Sequence, residues 1–229
     1  MNIILPCKAE PEKKPWGSET LLLNSIGFWR QKGDDTYVET PYIKLIENKF
    51  NLSLQNHSKK YESWMFLDSP GFYITCKDIN NADKTLQVVP IESVIDIPPG
   101  YPHAIAANSL VIEVQDRIDS TNRIMDFPEL IKFKREMNLK EAKLAYQKFL
   151  AKPKEKPFSL SLETKFAFSD IEARAIVAIE PYTKLFVAAD SGDLQTICLD
   201  RYRVAVVQLG KSKTVLVESN KPVFVTSYV

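Results

Sequence analysis

The chain has 229 residues, 45% hydrophobic and 26% charged, enough to bury a core without disulfide or metal staples. Lys and Arg total 30 against 29 Asp and Glu, so no global charge argues for nucleic acid or an anionic membrane as partner. Cys7, Cys76 and Cys198 are odd in number, far apart and without CxxC spacing, which argues for reduced thiols in an intracellular compartment.

In chain order, residues 1–5 are apolar, but Pro6 and the charged stretch 8–14 end the run before it reaches signal-peptide length. No run approaches a membrane span, and a cytoplasmic protein is expected. Apolar runs rich in β-branched and aromatic residues then recur at 42–46, 50–54, 64–67, 72–75, 86–89, 94–97 and 110–114. Turn-rich stretches such as 68–71 and 79–83 divide them, the pattern of a β sandwich or barrel. With only 7 glycines in the chain, several turns must rely on Asn, Asp or Pro.

The character changes over 127–152. Asn138 reads as an N-cap with Glu141 three residues on, and Leu139, Ala142, Tyr146, Phe149 and Leu150 recur at helical spacing with lysines between them. A shorter helix is expected over 128–136, and 153–157 reads as an exposed connector. Strands return over 175–179, 185–188, 194–199, 204–209, 213–217 and 222–228. Three regions follow: a β-rich segment over 1–126, a helical connector over 127–157 and a C-terminal β region over 158–229. The last has no histidine, and is expected to be structural or at most a wall of the site.

Both histidines of the chain fall in the first region. Leu52 and Leu54 alternate with polar neighbours up to His57, so a strand there would put Ser53, Gln55 and His57 on one face. Glu62 opens the next apolar run and would return a carboxylate beside them through a hairpin. His103 follows Ile97-Pro98-Pro99-Gly100-Tyr101-Pro102, whose prolines and glycine predict a rigid turn. Gln55, His57, Glu62 and His103 make a mixed nitrogen and oxygen donor set, suited to zinc or another borderline divalent cation with a position left open. A single histidine beside a strand is more commonly a hydrogen-bonded structural residue; it is the cluster that points to a metal.

These residues resemble a known family. The stretch Pro41 to His57, PYIKLIENKFNLSLQNH, is similar to the strand pair of mannose-6-phosphate isomerases, zinc enzymes of the cupin fold. Residues 97–104 resemble their second cupin motif. Ile112-Glu113-Val114-Gln115 with 119–127 is similar to a signature holding a carboxylate, an aspartate and an arginine. The sequence at 14–19 matches the tryptophan-glycine opening of many members, and 138–149 resembles a helix that follows the arginine segment. The resemblance covers most of 14–150 and, more loosely, the β-rich tail.

The resemblance implies an all-β cupin fold, a double-stranded β-helix or jelly roll, with a helical segment and a second, metal-free cupin-like β region. On that basis 1–126 is a metal-binding cupin domain, 127–157 the helical connector and 158–229 a structural cupin-like region. The implied activity is zinc-dependent aldose-ketose isomerisation of mannose 6-phosphate and fructose 6-phosphate by enediol proton transfer, with one Zn2+ per chain. The alternative is a non-catalytic or differently specific sugar-binding metal cupin. By the same resemblance Gln55, His57, Glu62 and His103 fall at the zinc-ligand positions, while Lys44, Ser53, Trp16 and Asp119 fall on the substrate side. Lys60 matches an active-site lysine, Glu113 and Arg123 an active-site pair, and either Glu113 or Lys60 is the proton-transfer group. The partner is a small-molecule sugar phosphate, neither nucleic acid nor membrane, and exposed faces of the tail strands allow a homodimer. Without the resemblance Lys44 and Lys60 read as surface lysines, Glu113 as a salt-bridge partner of Arg123, and Trp16 as cover for a core edge. The chain departs from many members in lacking a helical insertion before the second motif, which implies a more open site.

Overall fold

A computed structural model describes residues 1–32, 34–68, 71–78, 81–119, 121–125, 157–169, 173–210 and 212–228. Among these residues the chain is all-β. The helices expected over 128–136 and from Asn138, the connector up to residue 156, and residues 69–70 and 79–80 of the two expected turns lie outside them.

The chain opens with β1 (Asn2–Ile4), β2 (Glu12–Lys14) and β3 (Gly17–Leu23), then the antiparallel pair β4 (Gly27–Lys32) and β5 (Asp34–Glu39). Next come β6 (Tyr42–Asn48), β7 (Leu54–Asn56), β8 (Glu62–Phe66), β9 (Gly71–Asp78) and β10 (Asn81–Val89). β11 (Val94–Ile97), β12 (His103–Ile105), β13 (Ser109–Gln115) and β14 (Asn122–Met125) follow. The C-terminal strands are β15 (Phe158–Phe168), β16 (Arg174–Ala178), β17 (Thr183–Ala189), β18 (Leu194–Leu199), β19 (Val204–Gln208) and β20 (Val215–Tyr228).

The chain forms two compact units. One comprises Met1–Ala9, Leu21–Tyr42 and Pro157–Val229; the other comprises Glu10–Thr20 and Ile43–Lys156. The division differs from the three regions read along the sequence by grouping the first nine residues and Leu21–Tyr42 with the C-terminal strands.

In the first unit a seven-stranded sheet runs β1-β19-β16-β20-β17-β18, with β15 also paired to β20. The runs expected at 213–217 and 222–228 are one strand, β20, which pairs β17 through Val215–Ser219 and β16 through Val223–Thr226. Pro222, with no amide hydrogen to offer a ladder, sits at this change of partner, opposite a register shift between Glu163 and Lys165 of β15. Ile176, Leu185, Val187, Val207, Val217 and Val223 are buried in its core.

The second unit is a sandwich of two antiparallel sheets. A five-stranded sheet runs β10-β9-β12-β7-β14 and a six-stranded sheet β11-β8-β13-β6-β3-β2. Ile46, Trp64, Phe66, Ile95, Ile97 and Val111 from the six-stranded sheet share one core with Val89 and Ile105 from the five-stranded sheet. The strand expected over 50–54 is not formed as such: β7 begins at Leu54 and runs to Asn56. Upstream, the amides of Lys49 and Phe50 donate to the Trp16 carbonyl, and Asn48 Nδ2 donates to the carbonyls of Phe50 and Ala106. Those bonds take the place of a ladder and leave Phe50 exposed.

Candidate metal centre

Period-two alternation on β8 sends Glu62, Trp64 and Phe66 to one face. Phe66 and Trp64 join the shared core, and Glu62 continues the same row at the polar end of the sandwich. Register supplies its neighbours: Glu62 pairs with Ile97 and Gln115, and Trp64 pairs with Ile95 and Glu113. Glu62, Glu113 and Gln115 therefore lie on one sheet face, where cross-strand side chains touch.

The histidines come from the opposite side, His103 from the five-stranded sheet and His57 from the residue that follows its strand β7. His103 opens β12 directly opposite Gln55 of β7, and Arg123 of β14 pairs with Gln55 from its other side. The turn before His103 closes with Tyr101 N donating to the Pro98 carbonyl at 3.2 Å. Pro99 and Gly100 are its central residues, and Gly100 at φ 78° takes the position of a type II turn that glycine favours. Gly100 N also donates to the His57 carbonyl at 2.6 Å, tying the two histidine segments together. The rigid turn read from the sequence is present. The hairpin expected to return Glu62 is not: β7 and β8 belong to different sheets, and Glu62 reaches the histidines across the sandwich.

His57, Glu62 and His103 are all buried, with donor atoms within 4.8 Å of one another. His103 Nε2 lies 3.0 Å from Glu62 Oε2, and His57 Nε2 lies 3.6 Å from Glu62 Oε1. A tetrahedral ion held at about 2.0–2.2 Å keeps its donors roughly 3.3–3.6 Å apart; the 3.6 Å separation falls in that range, and the 3.0 Å one would have to open slightly around a shared cation. His103 Nδ1 is 2.7 Å from the Tyr101 carbonyl oxygen. A carbonyl only accepts, so Nδ1 carries the hydrogen and Nε2 is the atom turned to the cluster, the arrangement that orients a ligating imidazole. The donor set of His57, Glu62 and His103 fits a divalent ion such as zinc, and Gln55 pairs with His103 in register on the neighbouring strand.

Two lysines and two further carboxylates adjoin this set. Lys60 Nζ pairs with Glu62 Oε1, donates to Gln115 Oε1 at 3.2 Å and lies 3.8 Å from Glu113 Oε1. Lys44 Nζ lies 3.0 Å from Glu19 and 4.0 Å from Glu113. Trp64 Nε1 donates to Glu113 Oε2 at 3.1 Å. Burial opposes ionisation of Glu62, but His103, Lys60 and His57 outweigh it and hold its carboxyl below the usual carboxylate range. Glu113 goes the other way: burial, then the charge of Glu62, push it up despite Lys60 and Lys44. Burial would lower Lys44, yet the charges of Glu113 and Glu19 leave it raised.

Of the residues singled out from the sequence, His57, Glu62, His103, Lys60, Glu113 and Lys44 come together. Lys60 is buried rather than a surface lysine, and Glu113 pairs with lysines and Trp64. The Arg123 side chain lies outside the described residues. Ser53 is buried just before β7. Trp16 packs against the shared core with Tyr101. Asp119 accepts from Lys59 N at 2.7 Å and Ser58 Oγ at 3.2 Å, which fixes the bend between His57 and Lys60. Glu19 and Gln115 were not picked out from the sequence. Gln115 has a findable signal, two residues beyond Glu113 on the same strand face, whereas Glu19 has none.

No protein-family model matches the chain, and no curated protein matches it. Solved structures do. A putative mannosephosphate isomerase from Archaeoglobus fulgidus is 13% identical with a TM-score of 0.64, covering 99% of this chain and 97% of that one. Oxalate decarboxylase from Bacillus subtilis is 12% identical with a TM-score of 0.59, covering 98% of this chain and 76% of that one. The fold is that of the cupins. Mannose 6-phosphate isomerase from Bacillus subtilis is 16% identical with a TM-score of 0.53, covering 86% of this chain and 77% of that one. At these identities the likeness carries the cupin fold alone, and it is shared by isomerase and decarboxylase. Among the described residues, no helix is long and apolar enough to cross a membrane.

Proposed function

We propose that this cupin is a metal-dependent aldose-ketose isomerase of a sugar phosphate, interconverting mannose 6-phosphate and fructose 6-phosphate. The observation that carries the reading is the convergence of His57, Glu62 and His103 beside a buried carboxyl, Glu113, whose affinity for a proton is raised. His57, Glu62 and His103, with Gln55, would hold one Zn2+ per chain, which when bound polarises the hydroxyl and carbonyl oxygens of the sugar.

Isomerisation removes a proton from C2 of the aldose and returns one to C1, with a second proton passing between the two oxygens. Glu113 is suited to the carbon proton, because a carboxyl displaced upward from its ordinary range is a stronger base than a free one and can return the proton it accepts. Lys60, 3.8 Å from Glu113, supplies positive charge where the enediolate oxygen develops. Lys44 keeps its charge between Glu19 and Glu113 and offers a point charge to the phosphate. Lys44 and Lys60 both lie beside Glu113, and a divalent cation held by the neighbouring donors would add positive charge, which favours an anionic substrate.

The test is a coupled assay of mannose 6-phosphate conversion, with and without chelator, beside metal analysis. Turnover that is lost on chelation and restored by Zn2+ is expected. One Zn2+ bound per chain without turnover would overturn the isomerase reading in favour of a sugar-binding cupin, and a His103→Ala variant that keeps its metal would overturn the site.

A further inference from the structure

Lys60 stands on the same carboxylate that the metal reading assigns as a ligand. Its ammonium pairs with Glu62 Oε1, the oxygen 3.6 Å from His57 Nε2, so it lies against the donor set itself. A cation entering that set meets a buried positive charge in contact with one of its ligands, and the two compete for one oxygen. The side chain has a second place to go: Gln115 Oε1 is already 3.2 Å from Nζ, and Glu113 Oε1 is 3.8 Å away on the same sheet face. A movement along that face would carry the ammonium from one carboxylate to the other, onto a Glu113 oxygen that Lys44 Nζ also faces at 4.0 Å.

We infer that Lys60 is a resident counter-ion of Glu62 that yields to the metal by moving onto Glu113, and so sets the affinity and selectivity of the centre. Before loading, it offsets the charge of Glu62. On loading, its transfer couples the metal to Glu113, whose carboxylate then faces an ammonium no longer shared with Glu62. Lys60 is thus a positioning residue toward the metal. The inference rests on the metal reading of His57, Glu62 and His103.

Metal-stripped protein titrated calorimetrically with Zn2+ alone, and with Co2+ followed by its visible absorption, tests this apart from turnover. Lys60→Met is expected to bind at least tenfold more tightly than wild type, and Lys60→Arg, which keeps the charge, to stay within about threefold of it. Glu113→Gln removes the second counter-ion and is expected to bind several-fold more weakly; in the Lys60→Met background most of that loss should vanish. Circular dichroism verifies the fold of each variant, and Glu113→Gln alone decides the question should Lys60→Met fail to fold. Binding by wild type with Lys60→Met equal or weaker, or with Glu113→Gln equal or tighter, overturns the inference and leaves the metal reading standing. No binding by any variant overturns both.

Discussion

Glu62→Gln keeps the size of the side chain and removes the charge that Lys60, His57 and His103 face. Breaking a buried ion pair by deleting one partner costs roughly 3–5 kcal/mol, because the other charge is left in a poor solvent. Here Lys60 keeps Glu113 at 3.8 Å, an attraction of about 4 kcal/mol at an effective dielectric near 20, and the Gln115 oxygen at 3.2 Å. The ammonium is not stranded, and the cost belongs at the low end, about 3 kcal/mol. Trp16 and Trp64 lie in the unit that carries Glu62 and Trp29 in the other, so tryptophan fluorescence of a Trp29→Phe background during urea unfolding of metal-stripped protein reports on it. With a slope of about 2–3 kcal/mol/M, the midpoint at neutral pH should fall by roughly 1 M. The pH dependence carries the same signature. The Glu62 carboxyl is held below its ordinary value of 4.5 in the folded chain, so its stabilisation is complete above that value and is lost as pH falls through the lower folded one. Wild type should show this acid loss and Glu62→Gln should lack that part of it. A midpoint shift under about 0.3 M, or identical acid limbs, would refute the placement of Glu62 at the centre of the charge network.

Three further outcomes are expected. Phe66→Ala empties a fully buried position in the shared core and should cost about 3–5 kcal/mol by urea unfolding. Gly100→Ala meets no atom within 4 Å, so its cost is backbone strain at φ 78°, about 1 kcal/mol, together with weaker Zn2+ binding through the loosened His103 turn. Tyr61 is pushed up to about 12 by burial and then by Asp96, so in an absorbance titration of the chain's 9 tyrosines a late phase should disappear in Tyr61→Phe.

Much of the fold is legible in the sequence because half-buried and fully buried strands leave composition signals. The runs at 64–67, 94–97 and 110–114 correspond to β8, β11 and β13, three adjacent strands at one side of the six-stranded sheet. The turn at 98–101 is legible for a different reason: a proline followed by a glycine names a backbone conformation directly. Strand β15 leaves a weaker signal although Phe158, Leu160 and Leu162 alternate, since charged and small residues dilute the run. The stretch 50–54 reads as a strand and departs from one because Asn48 and a distant carbonyl, that of Trp16, take the backbone bonds of Phe50, and no local window contains Trp16.

By itself the sequence determined the candidate donor types: two imidazoles and a carboxylate, with an amide proposed beside them, each next to a strand or turn that would hold it still. Chemistry of that kind is local, written into residue identity and spacing. Only the tertiary structure decided that Glu62 faces the histidines from the opposite sheet, and that Lys60 shares its oxygen. It likewise decided that Glu113 is buried between lysines, Trp64 and the charge of Glu62. Those relations depend on which strands pair and in what register, and on burial that makes charges interact strongly. They are set by long-range packing, which no stretch of neighbouring residues specifies.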